Sequence, residues 1–244
     1  MLNILKRKKE NSCVLVISDL HSPYHHPDAL KFLSALKDKY NPDKVICMGD
    51  ELDFSQVSYH ESNPNMDSAK TELEKGRKFL YKLEKLFPEM DVMKSNHGSL
   101  PYRKAVTAGL PLEVIKHYRD IIFNKGGGEG WHWHNELVLT LSNGKKCKFK
   151  HIAAANVVNS AAAIGMNLVS AHRHTSFKIQ YVESPDNVRF GMCVGCLIDD
   201  TNPAFDYNDN TDKRPVTGCA VIENGIPKLI PMVLKKNNKW DGVV

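Results

Sequence analysis

Within the first hundred residues, three apolar runs of strand length stop abruptly at polar positions: Val14 to Asp19, Lys44 to Asp50, and Asp91 to His97. Between them the period changes. Pro27 to Tyr40 carries Leu30, Leu33 and Leu36 on one side, and Asp67 to Phe87 carries Leu73, Leu80, Leu83 and Phe87 at helical spacings. This alternation predicts a largely parallel sheet covered by helices, with ligands collecting at the carboxyl ends of its strands. Pro101 to about Asn124 reads as further helix, followed by a glycine loop at Gly126 to Gly130. Short alternating segments then take over. Glu136 to Leu141 and Lys146 to His151 flank Ser142-Asn143-Gly144, a strong hairpin signal. A small-residue helix from Asn156 to Gly165 precedes five more β segments. The pattern predicts an α/β protein with two packed mixed β-sheets flanked by helices. It forms one domain over 13–234, with a basic tail at 1–12 and a C-terminal tail at 235–244.

Composition adds mainly exclusions. With 244 residues, 42% of them apolar and 25% charged, the chain can bury a sizeable core. No stretch reaches the roughly 20 apolar residues of a bilayer crossing. The N-terminus lacks the apolar segment of about 7 to 15 residues that export requires. Six cysteines in apolar surroundings suit buried thiols of a reducing compartment, so a cytoplasmic setting is expected. Cys193 and Cys196 form a CxxC, but no second pair completes a zinc knuckle. The net charge of +5 gathers partly at Lys6 to Lys9 and at Lys235, Lys236 and Lys239. Such ends read as solvated tails, which permit a polyanionic partner without arguing for one.

The chemistry gathers at the strand ends. Asp19-Leu20-His21 closes the first run, Gly49-Asp50-Glu51-Leu52-Asp53 the second, and Ser95-Asn96-His97-Gly98 the third. Later, His151 closes an alternating run and His172-Arg173-His174 closes another. Alternate residues of an extended strand point the same way, so Asp19 with His21, and His172 with His174, read as ligand pairs. Imidazole and carboxylate together suit first-row divalent metals better than calcium or magnesium. Asp19, His21, Asp50, Asn96, His151, His172 and His174 are too many ligands for one tetrahedral ion. Two ions sharing Asp50 would use them all. Manganese is the first candidate, with iron, zinc, cobalt or nickel as alternatives.

The order of these segments resembles the calcineurin-like metallophosphoesterases, whose pattern runs Asp-x-His, Gly-Asp-x-x-Asp, Gly-Asn-His-Asp/Glu, a lone His, and Gly-His-x-His. The resemblance covers residues 14 to 174 and implies that family's α/β sandwich. It also implies that Asp19, His21, Asp50 and His174 hold one ion and that Asp50, Asn96, His151 and His172 hold the other. A hydroxide bridging the ions would attack phosphorus, and His97 would protonate the leaving oxygen. Gly98 departs from the pattern, since it replaces the acidic residue that normally orients this histidine; Asp53 or Asp28 could stand in. Ile152 and Ala171 also replace common glycines.

Arg103 is a candidate for holding a phosphate oxygen through its planar fork. His25, His26 and His60 could line the cleft. Trp131 to His134 reads as an alternating strand, and Gly126-Gly127-Gly128 lacks the ending of a P-loop. The expected activity is hydrolysis of a phosphomonoester or phosphodiester, with a nucleotide or small phosphodiester as substrate. The alternatives are a DNA nuclease of the same superfamily and a catalytically weakened binding scaffold of the same fold.

Overall fold

The first apolar run becomes β1 (Cys13–Ile17), buried along its whole length. Its alternation sorts side chains between two cores. Val14 and Val16 face a second sheet, while Cys13, Leu15 and Ile17 face helices. The computed structural model describes residues 10–59, 63–185, 187–205 and 212–244, so Lys6 to Lys9 and His60 lie outside the described residues.

Next to β1 run β2 (Lys44–Cys47) and β3 (Met90–Met93), both parallel to their neighbours, and β4 (Trp131–His134) extends the parallel set. Among the described residues the first sheet has the order β11-β10-β1-β2-β3-β4. Here β10 (Gly218–Glu223) pairs antiparallel with β1, and β11 (Ile226–Pro231) pairs antiparallel with β10. The second sheet has the order β5-β6-β7-β9-β8: β5 (Leu137–Thr140), β6 (Lys146–Phe149), β7 (Asn167–Ser170), β9 (Asn187–Val194) and β8 (Phe177–Ser184). The β5–β6 hairpin forms where expected, with Thr140 opposite Lys146, but its loop is the three residues Ser142 to Gly144, closed by Gly144 at a φ of 82°, rather than a two-residue Asn-Gly turn.

The helices α1 (Ala29–Tyr40) and α2 (Ala69–Leu86) cover the outer face of the first sheet, burying Phe32, Leu33, Leu36, Leu80 and Leu83 there. α5 (Val157–Ile164) covers the second sheet with Val157 and Ala161. The layers are therefore helix, sheet, sheet, helix, as the pattern predicts. Between the sheets Ile46, Met48 and Met93 meet Phe149, Val169 and Met192. C-terminal to β11, Trp240 packs edge-on against Phe32 and its backbone N–H reaches Asp28, so the end of the chain is fastened to α1.

Two expectations change. The continuous helix over Pro101 to Asn124 is instead α3 (Leu100–Thr107), a 3-10 turn at Leu112–Val114, and α4 (Tyr118–Ile122). Pro111, which cannot donate a backbone hydrogen bond, follows Gly109-Leu110 and stops propagation. The strands also end two to four residues short of the seven candidate ligands and His97, so those side chains are carried by loops that the sheets hold at their rims.

Phe149 is fully buried between the sheets. Phe149→Ala is expected to cost about 3–5 kcal/mol, read as a lower urea midpoint at unchanged m-value.

Candidate metal centre

Local backbone conformation does what strand alternation was expected to do. Asp19, His21, Asp50 and His172 all have positive φ, at 45°, 46°, 51° and 70°. They are not extended residues, so the ligand pairs do not converge by period-two geometry. They converge because the chain turns left-handed at each of them, a conformation costing of order 1–3 kcal/mol for a non-glycine residue and concentrated at functional sites. Backbone hydrogen bonds between the rim loops offset that cost: His21 N–H donates to the Asp50 carbonyl (2.7 Å) and Asp19 N–H to the Gly49 carbonyl (3.2 Å). Gly49 is required. Its φ is +104°, and a Cβ there would lie 2.6 Å from the Met93 carbonyl and 3.2 Å from His151 Nδ1.

The seven expected ligands come together. Asp19, His21 and His174 present atoms within 4.8 Å of one another, and so do Asp50, His151 and His172. Asn96 joins the second group through its Oδ1, 2.8 Å from His151 Nε2. Asp50 lies between the groups: its Oδ2 is 3.6 Å from His21 Nε2 and 3.2 Å from His151 Nε2. His97 also lies within reach of His21 and Asp50, a grouping not anticipated from the sequence.

The residues behind these ligands fix which atoms face inward. His21 Nδ1 meets Asp53 Oδ1 at 2.6 Å, His151 Nδ1 meets the Met48 carbonyl at 2.7 Å, and His97 Nδ1 meets the Asp53 carbonyl. In each ring the Nδ1 is taken, so Nε2 is the nitrogen offered to the centre. The carboxylates follow the same rule. Asp19 Oδ2 accepts from the His172 backbone N–H (2.9 Å) and Asp50 Oδ1 from that of His97 (3.2 Å). Asp19 Oδ1 and Asp50 Oδ2 are buried and accept no hydrogen bond among the described residues. A buried carboxylate oxygen without a donor is costly. Bare oxygens beside inward-facing Nε2 atoms form a donor set that fits divalent first-row cations.

The charges in the cage agree with that fit. Burial pushes the Asp19 carboxyl up to about 6, against the pull of His151, and the nearby Asp50 charge adds to the rise. Burial also disfavours the Asp50 carboxylate, but His151, His97 and His21 outweigh it and hold that group well below the usual range. His21 and His151 would be lowered by burial alone. Asp53 and Asp50 for the first, and Asp50 for the second, raise each to about 9. Burial and the facing His21 keep His174 well below its ordinary value. Without cations, the raised His21 and His151 imidazoles sit among three carboxylates, those of Asp19, Asp50 and Asp53.

The remaining candidates have other partners. Arg103 Nη2 donates to the Asn96 carbonyl (3.0 Å) and its guanidinium lies over Tyr59. It therefore grips the turn carrying Asn96 and His97. Asp28 pairs with Lys31 and the Trp240 N–H, not with His97; the carbonyl of Asp53 takes that place. His25 stacks on Phe79 at 3.6 Å, and His26 Nε2 meets the Asn238 carbonyl. All six cysteines are buried and none forms a disulfide, with Cys193 and Cys196 in separate apolar clusters.

Two supporting residues escaped the sequence reading. Glu72 of α2 accepts from the Ser55 and Gln56 N–H groups (2.8 and 3.2 Å), pinning the turn just after Asp53. Tyr118 fills the space beside Gly98, where an added Cβ would lie 3.1 Å from its hydroxyl. Neither has a local signal, because each acts on a segment far away in sequence.

Residues 14–176, about two thirds of the chain, match the family model described as calcineurin-like phosphoesterase. Among solved structures, Vps29 of Chaetomium thermophilum is similar over 94% of each chain at 13% identity, with a TM-score of 0.48. Vacuolar Protein Sorting 29 from Cryptosporidium parvum is similar over 91% of this chain and 96% of that one, at 13% identity and a TM-score of 0.41. No curated protein matches at a significant level. No helix among the described residues is long and apolar enough to cross a membrane.

A cation must displace the protons on His21 and His151, whose values lie near 9. Manganese binding is therefore expected to release protons at pH 7, and affinity should rise with pH until about 9 and then level. Titration calorimetry in buffers of different ionisation enthalpy checks this; binding without proton release would contradict it.

Proposed function

The chain belongs to the calcineurin-like phosphoesterase family, and from that premise we propose that it is a metal-dependent hydrolase of phosphate esters. One observation carries the reading: the free Oδ2 of Asp50 lies between two groups of inward-facing ligands. Asp19, His21, Asp50 and His174 hold one divalent cation, and Asp50, Asn96, His151 and His172 hold the second, with manganese the first candidate. Two such cations supply a water acidified toward neutrality and an electrophilic clamp on the phosphoryl oxygens.

The chain's own residues do the rest. His97 has its Nδ1 anchored on the Asp53 carbonyl, so its Nε2 is the atom that carries a proton to the leaving oxygen. General acid catalysis of this kind is worth about 100- to 10,000-fold. Asp53 serves two rings at once, orienting His21 with its carboxylate and His97 with its carbonyl. This supports orientation of His97 without an acidic residue at position 98. Arg103 holds the Asn96 carbonyl and thereby the turn that carries both Asn96 and His97. A nucleotide or small phosphodiester is the substrate class. Buried cysteines outside any disulfide support a reducing, cytoplasmic setting.

The test combines elemental analysis with a manganese-supplemented assay on an aryl phosphomonoester, the matching diester, and single- and double-stranded DNA. Two bound ions with turnover of an ester are expected, and preference for DNA would favour the nuclease alternative. Two bound ions without turnover would leave the binding-scaffold alternative.

Asp50→Asn is expected to lose both ions and all turnover, because one carboxylate serves two charges. His97→Ala should retain the ions and lower kcat by about 100- to 10,000-fold. If His97→Ala strips an ion instead, His97 is a ligand and the proton-donor role is wrong.

A further inference from the structure

Behind the Asn96–His97 turn lies a second cavity of about 420 Å³, bounded by β3, β4, α3 and α4. Its volume is within the range of small-molecule sites, about 300–1,000 Å³. The lining is graded by depth. At the bottom sits the buried carboxyl of Glu51, which accepts from Trp133 Nε1 (3.1 Å) and faces the Tyr118 hydroxyl. The walls are the half-buried rings of Trp133, Tyr118 and Tyr102, with Tyr118 and Trp133 nearly perpendicular at 5.9 Å. At the rim are exposed Lys94, His117 and Arg119, the last with Asp120 Oδ1 3.6 Å from its Nε.

We propose that this cavity is a nucleotide-binding subsite: the base packs against the aromatic wall and the phosphate lies at the basic rim. Each layer recognises a different part of that ligand. Flat rings with exposed faces stack on a heteroaromatic base. A carboxylate has about four lone-pair sites, so beyond the bond it accepts from Trp133 Nε1 the Glu51 carboxyl has capacity for base N–H donors. The cationic rim complements a phosphate and disfavours a cationic ligand. A purely apolar ligand would leave Glu51 at the cavity floor with no new partner, and an inorganic anion would leave the rings unused.

Gly98 fits this architecture. Any side chain there would press on the Tyr118 hydroxyl at 3.1 Å and on Ser95 Oγ at 3.2 Å. A bare position 98 therefore leaves Tyr118 in place as a cavity wall. Tyr102 is held from behind, its hydroxyl donating to the Lys116 carbonyl at 2.9 Å. Ser95, Gly98 and Ser99 of the wall immediately flank Asn96 and His97 in the chain, which sets a bound nucleotide beside the candidate proton donor. The role as substrate subsite rests on the phosphoesterase reading; binding by itself does not.

The experiment separates the two. In EDTA, where the metal centre cannot hold a phosphate, GMP is titrated and followed by ligand-observed NMR, with inorganic phosphate as the control. GMP should bind and phosphate alone should not. Arg119→Glu, at an exposed position, and Tyr102→Ala should each weaken GMP about tenfold or more, while Tyr102→Phe should retain it. With manganese restored, the same two variants should raise KM for a nucleoside 5′-aryl phosphate with kcat within about twofold. Absence of GMP binding in EDTA, or binding indifferent to both variants, overturns the proposal and leaves the phosphoesterase reading standing. Variant-sensitive binding without turnover of any ester by the manganese-loaded protein supports the subsite and sinks the phosphoesterase reading alone.

Discussion

Asp19 and Asp50 are buried side by side at the ends of adjacent parallel strands, and two carboxylates in that position raise each other's cost of ionisation. The fold must supply positive charge within a few ångströms or neutralise them. It does so with four imidazoles from three loops, of which His21 and His151 are raised to about 9 by the carboxylates they face. Those rings, when protonated, and divalent cations are interchangeable solutions to one electrostatic demand. Asp19 Oδ1 and Asp50 Oδ2 nonetheless accept no hydrogen bond among the described residues.

Holding that cage is the task of atoms that never face it. Carbonyls of Met48 and Asp53 and the carboxylate of Asp53 take the outer nitrogens of three rings, and backbone N–H groups of His97 and His172 take the outer oxygens of both aspartates. Each of these donors or acceptors belongs to a loop whose start is fixed by a sheet strand. The positive φ values at Asp19, His21, Asp50 and His172 have the same origin. They aim side chains inward, at a conformational cost that the packed sheets beneath can absorb.

The sequence made the layers legible because period two and period 3.6 differ sharply over β1, α1 and α2, and because Asn143-Gly144 fixes a hairpin by local chemistry alone. The seven candidate ligands were legible as residue types at strand ends. Their means of convergence was not, since left-handed turns at aspartate and histidine leave no periodic trace. The break between α3 and α4 was passed over because apolar spacing continues through Leu110, Leu112 and Ile115, while Pro111 acts only through the backbone bond it cannot make. Glu72 and Tyr118 stayed hidden for a different reason. Each supports a loop from a helix far along the chain, and only packing brings such partners together.

Gly98 is where these arguments meet. Judged by motif alone it is a loss, since an acidic residue is absent beside the candidate proton donor. In the fold, His97 Nδ1 already has the Asp53 carbonyl, and the volume that a side chain at 98 would occupy belongs to Tyr118, whose hydroxyl faces Glu51. An aspartate at 98 would compete with an existing acceptor and press on a ring that closes an aromatic cavity. The glycine is better understood as the counterpart of Tyr118 than as a missing carboxylate: orientation of the histidine passes to a main-chain oxygen, and the space released goes to a wall that can recognise a ligand.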